Sequence, residues 1–110
     1  MSEWSEWRPF PDPRADGYLL APFGPGVYEL RHRESDGLVC VGSGKNCAYR
    51  MSSLLPAPRG EGTRNNAALR AYVLANLGAL DYRTRPFPSG AEASVFEKDH
   101  RARGKYLFST

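Results

Sequence analysis

The stretch GVYELRHRESDGLVCVGSGKNCAYR, residues 26–50, decides the fold. GVYELRHR is a β-strand by its aromatic and branched residues, Asp36-Gly37 marks a turn, and LVCVG (38–42) is a second strand. A loop over 33–37 pairs Leu30 with Cys40 and Tyr28 with Gly42, which puts Tyr28, Leu30 and Cys40 on one face of the hairpin. Gly42-Ser43-Gly44 breaks the second strand. NCAYRMSSLL (46–55) then predicts a helix capped by Asn46 and stopped by Pro56.

Downstream, PAPRGEGTR is a loop carrying Arg59 and Arg64. NNAALRAYVLANLG is the clearest helix, with Leu69, Tyr72, Val73, Asn76 and Leu77 at helical spacing and Gly78 as its stop. ALDYRTR alternates Leu80, Tyr82 and Thr84 against Asp81, Arg83 and Arg85, the pattern of a third strand. PFPSG is a turn, and residues 90–103 form a last helix with Ser89 as its cap. Upstream, Pro9, Pro11, Pro13, Pro22 and Pro25 exclude regular helix from residues 1–25. That arm also holds Trp4, Trp7, Phe10 and Tyr18, aromatics costly to leave in water, so we expect it to strap across the domain; Trp4 and Trp7 also suit a protein partner. The expected architecture is an arm (1–25) and one α+β domain (26–110). Its small three-stranded sheet, mixed or antiparallel, is flanked by helices in the order β-β-α-α-β-α.

Composition restricts the possibilities. At 110 residues, 41% hydrophobic and 25% charged, the chain suits one globular domain. No apolar run approaches the roughly 18 residues of a membrane span, and MSEWSEWRPFPDP, with early acids and prolines, is not expected to act as a secretory leader. Two cysteines make no disulfide framework, so reduced thiols and a cytoplasmic location are expected. Residues 1–30 carry two arginines and five acids, whereas residues 31–110 carry thirteen bases and seven acids. Twelve of the fifteen bases are arginine, the side chain suited to bidentate phosphate contacts.

GVY at 26–28, CVG at 40–42, Arg50 in the following helix and Glu97 in the last helix together resemble the GIY-YIG endonuclease family. VCVGSGKNCAYRMSSL is similar to the family's second motif running into its arginine helix, and EASVFEK (92–98) to the helix carrying its single glutamate. The resemblance spans roughly 26–108. It implies a metal-dependent endonuclease in which Tyr28 acts as base or orients the attacking water, Arg50 neutralises the scissile phosphate, and Glu97 holds Mg²⁺ or Mn²⁺. Arg31, Arg33, Lys45, Arg59, Arg64 and Arg70 are the candidate backbone contacts, giving salt-sensitive binding that is blind to sequence. DNA is the expected nucleic acid ahead of RNA; with no recognition helix and no second domain evident, little sequence specificity is expected, and single-stranded or branched DNA is the suggested form.

The sequence also departs from the family. Cys40 stands where the second motif normally has tyrosine, Ser43 where a basic residue is frequent, and KYLFST lacks the asparagine often found near the domain's end. These changes support an alternative: a catalytically impaired module of the same shape that binds nucleic acid or a protein. A structural ion pair between Arg50 and Glu97 would need no substrate. Other chemistry fits poorly. GSGKN lacks the first glycine and the final Ser/Thr of a phosphate loop, and His32, Cys40, Cys47 and His100 lack the local spacing of zinc ligands.

Overall fold

The computed structural model describes residues 4–11, 21–52 and 67–108. Strands β1 (Arg8–Pro9), β2 (Gly26–His32), β3 (Leu38–Gly44) and β4 (Leu80–Pro86) form one antiparallel sheet in the order β1-β4-β2-β3. Helices α1 (Cys47–Ser52) and α2 (Ala67–Ala75) follow the hairpin, a 3₁₀ turn (Leu77–Ala79) leads into β4, and α3 (Gly90–Arg103) follows it. The fold is therefore α+β, with strands and α-helices in the order β-β-β-α-α-β-α. The expected three-stranded sheet is corrected to four strands, all antiparallel, because the arm contributes β1.

The hairpin register is the expected one: Tyr28 lies opposite Gly42 and Leu30 opposite Cys40. An irregularity between Leu30 and Arg31 shifts the pairing toward the turn, where Asp36 takes φ 59°, a conformation its short polar side chain tolerates. Asn46 Oδ1 accepts from the Tyr49 N–H (3.0 Å) and Ser89 Oγ from the Glu92 N–H (3.2 Å), so both expected N-caps form. Residues 53–55 of the first expected helix and 65–66 of the second lie outside the described residues.

Strand β2 is central and covered on both faces, which is why Val27 through Leu30 are all buried. On one face Tyr28, Leu30, Cys40, Leu80 and Tyr82 pack with Met51, Leu69 and Val73 from the α1 and α2 helices. On the other, Val27 and Val41 pack against Ala93 of α3. Glu29 sits on the α3 face at 1% exposure. A buried carboxylate needs partners, and among the described residues it has three: Arg83 (Nε 2.8 Å, Nη2 2.7 Å), His100 (Nε2 3.0 Å) and the Tyr106 hydroxyl, which donates to Oε2.

The arm runs along the β4 edge of the sheet, with Trp4 packed on the α3 face and Phe10 in the core on the other. Ser5 N–H donates to the Thr84 carbonyl (2.8 Å), and the Phe10 N–H to that of Leu80 (2.9 Å). Arg83 Cζ lies 4.1 Å from the Trp4 ring centre and 4.6 Å from that of Trp7, while Arg31 Cζ lies 4.1 Å from Trp7. Cation–π attraction thus fastens two tryptophans to two strands. Both rings are half-buried against the chain's own sheet.

Candidate functional site

Three consecutive residues, Gly42-Ser43-Gly44, end the edge strand β3 and touch all three residues singled out by the resemblance. Tyr28, cross-strand from Gly42, lays its ring over the bare backbone: a Cβ at Gly42 would fall 2.5 Å from Tyr28 Cζ and 2.9 Å from Cε1. A Cβ at Gly44 would fall 3.2 Å from Arg50 Cβ, so the first turns of α1 bring the arginine against the strand end. Ser43, alternating to the opposite face, sets Oγ 3.5 Å from Glu97 Oε1 on α3, at the long limit of a hydrogen bond. The segment from Gly42 to Gly44 spans no more than about 7.6 Å, so residues 28, 50 and 97 converge on one short piece of backbone.

Tyr28 and Arg50 approach from one face of the sheet and Glu97 from the other. β3 is an edge strand, and among the described residues no further strand lies beyond it. Tyr28 is fully buried, Arg50 is exposed, and Glu97 retains 6% exposure. Glu97 Oε2 lies 3.1 Å from Arg101 Nη1, one helical turn on, yet is buried without an aligned hydrogen bond. The ion pair of Glu97 is therefore with Arg101.

The remaining expected residues divide by position. Lys45 follows Gly44 directly, is exposed, and runs past the start of α3, where a Cβ at Gly90 would come within 3.0 Å of its Cγ. Arg31 and Arg33 do not join the site. They lie at the opposite end of β2 and are engaged by acids: Arg31 with Asp36 (3.1 Å) and Asp81 (3.6 Å), Arg33 with Asp81 (2.8 Å) and the Gly78 and Leu80 carbonyls. Arg70 is half-buried on α2, and Arg59 and Arg64 lie outside the described residues. Cys40 is fully buried in the core beneath the sheet. His32 bonds the Tyr72 hydroxyl at the far end of β2.

Ser43 and Arg101, which touch Glu97, were not among the expected residues. The four-residue helical spacing of Glu97 and Arg101 was a signal for the second. Burial of Cys47 raises its thiol pKa to about 12, and burial followed by the Glu29 hydrogen bond holds the Tyr106 phenol well above its ordinary range. Neither group is a nucleophile at neutral pH. Among the described residues no helix is long and apolar enough to cross a membrane, and no three acidic, histidine or cysteine side chains cluster as a metal cage. No family model, curated protein or solved structure matches the chain.

Proposed function

We propose that the chain is a metal-dependent endonuclease of GIY-YIG type that hydrolyses phosphodiester bonds in DNA with little sequence preference, at the Gly42–Gly44 end of the sheet. The observation that carries this reading is the convergence of a phenol, a guanidinium and a carboxylate, from three distant stretches of chain, on three residues of an edge strand. The missing side chains at Gly42 and Gly44 make room for the Tyr28 ring and for Arg50 respectively. Arg50 is exposed beside Gly44 and is the group that a phosphodiester reaches first.

Arg50, exposed, binds the phosphate and offsets the charge that builds on its non-bridging oxygens during attack. Tyr28, sealed beneath Gly42, orients the attacking water through its hydroxyl once substrate opens the strand end. Lys45 contacts the flanking backbone, a sequence-blind contribution that weakens with salt. The buried, unaligned Oε2 of Glu97 fits a divalent ion, since Mg²⁺ or Mn²⁺ is commonly held by one carboxylate together with water and phosphate. Such an ion, when bound, supplies Lewis-acid stabilisation and an acidified water. Arg101 is then the residue that neutralises Glu97 when substrate is absent.

A second reading is favoured by the complete burial of Tyr28 and by Cys40 in place of a second phenol. It is a catalytically impaired module that binds nucleic acid or a protein through the same strand end. Incubation with single-stranded, duplex and branched DNA plus Mg²⁺ or Mn²⁺ separates the two. Cleavage by the wild type that is lost in Glu97→Ala supports the endonuclease. Salt-sensitive binding with no metal-dependent cutting supports the module.

A further inference from the structure

The two most exposed aromatic side chains among the described residues are Phe23, at 86%, and Tyr49, at 78%. They are far apart in sequence but adjacent in the fold. The Cys47 N–H donates to the Gly24 carbonyl (2.9 Å) and the Ala48 N–H to the Pro22 carbonyl (2.8 Å), which docks the segment around Phe23 onto the first turn of α1. Tyr49 is the next residue of that helix, and Arg50 follows it against Gly44. Lys45 lies between the strand end and α1.

The two segments that build this patch carry only basic charge. Residues 21–28 and 37–52 contain no Asp or Glu, whereas Lys45 and Arg50 are both exposed. Exposed aromatic rings flanking two cations suit a polyanion with flat apolar faces. Unpaired nucleobases have such faces, whereas in a duplex they are already stacked on one another.

We propose that Phe23 and Tyr49 form a base-stacking platform for single-stranded DNA, seating unpaired bases beside the phosphates engaged by Lys45 and Arg50. This rests on the nucleic-acid reading of the strand end and specifies its substrate as unpaired DNA. Both rings are largely exposed and neither belongs to a core cluster, so alanine variants should melt close to wild type. The platform needs no metal and no intact Glu97.

The test is fluorescence anisotropy in EDTA with a labelled twelve-nucleotide oligothymidylate, an abasic oligomer of equal length, a twelve-base-pair duplex and an oligouridylate. Phe23→Ala and Tyr49→Ala should each weaken oligothymidylate binding about tenfold, with Tyr49→Phe keeping wild-type affinity. The abasic oligomer should bind all variants with the same low affinity, and the duplex should bind more weakly than the single strand. Equal affinity of the wild type for abasic and base-bearing strands overturns the proposal. So do alanine variants that bind as wild type, tighter binding of oligouridylate than oligothymidylate, or no binding of any oligomer. Base-dependent binding without metal-dependent cleavage leaves the platform standing and removes the endonuclease. Cleavage without base-dependent binding does the reverse.

Discussion

Replacing Gly42 with alanine perturbs the closest packing at the candidate site. The new Cβ would lie 2.5 Å from Tyr28 Cζ and 2.9 Å from Cε1, and closer still to the hydroxyl oxygen. Carbon atoms pack comfortably at roughly 3.5–4.0 Å, so the ring must retreat by about 1 Å. It cannot do so freely, because Tyr28 is fully buried in the cluster with Leu30, Cys40 and Met51. Overpacking of this kind costs about 1–3 kcal/mol. At this chain length that lowers Tm by on the order of 5–15 °C. Thermal unfolding followed by circular dichroism reads the loss. Tyr28→Phe should not rescue Gly42→Ala, because Cζ and Cε1 still clash. Tyr28→Leu should rescue it, so that the double variant is more stable than the two single losses added together. A Gly42→Ala protein melting within a degree of wild type, or additive losses in the cycle, would refute the packing argument and with it the placement of Tyr28 over the strand end.

Two further predictions concern the α3 face of the sheet. Glu29→Gln keeps the side-chain shape but leaves the Arg83 charge uncompensated in a half-buried site, and should cost about 3 kcal/mol in urea unfolding at pH 7; a change below about 1 kcal/mol contradicts the assignment of Glu29 as the hub. Alkaline stability should fall as well. The Cys47 thiol ionises near 9.0 ordinarily and near 12 in the folded chain, so stability that is complete below pH 9 declines between 9 and 12 by about 1.4 kcal/mol per pH unit. Tyr106, also raised, adds to the decline above pH 10. Urea titrations at pH 8 to 11 check this, and Cys47→Ala should flatten the first part of the curve; an unchanged slope argues against burial of the thiol.

Much of the scaffold was legible in the sequence because local signals agreed with the long-range pairing. A loop over 33–37 with Asp36-Gly37 in its turn places Leu30 opposite Cys40 and Tyr28 opposite Gly42, and that is the hairpin register observed. Asn46 and Ser89 identified helix starts by their own hydrogen-bonding chemistry. Strand β1 was not legible. Arg8–Pro9 has no strand signature, and its place depends on β4 and on tryptophans that lie over Arg31 and Arg83.

The basic residues show a second limit. Charge in a sequence does not distinguish a solvated arginine from one whose acid lies far along the chain. Arg33 meets Asp81 forty-eight residues away, which removes it from the candidate phosphate contacts. Glu29 was hidden for a related reason, because alternation alone assigns it to an outer face that α3 and the arm in fact cover. The opposite-face approach of Tyr28 and Glu97 follows from the topology of β3 as an edge strand, which the hairpin sequence does not encode.

The most direct measurement is the single-turnover cleavage rate of single-stranded DNA in Mg²⁺ or Mn²⁺, compared across wild type, Arg50→Ala, Glu97→Ala and the double variant. Groups that act on one phosphate are non-additive, so each single change should slow cleavage at least about 100-fold and the double variant should be little slower than the worse single one. A wild-type protein that does not cut, or Arg50→Ala and Glu97→Ala proteins that cut at the wild-type rate, would contradict a shared phosphodiester site at the end of β3.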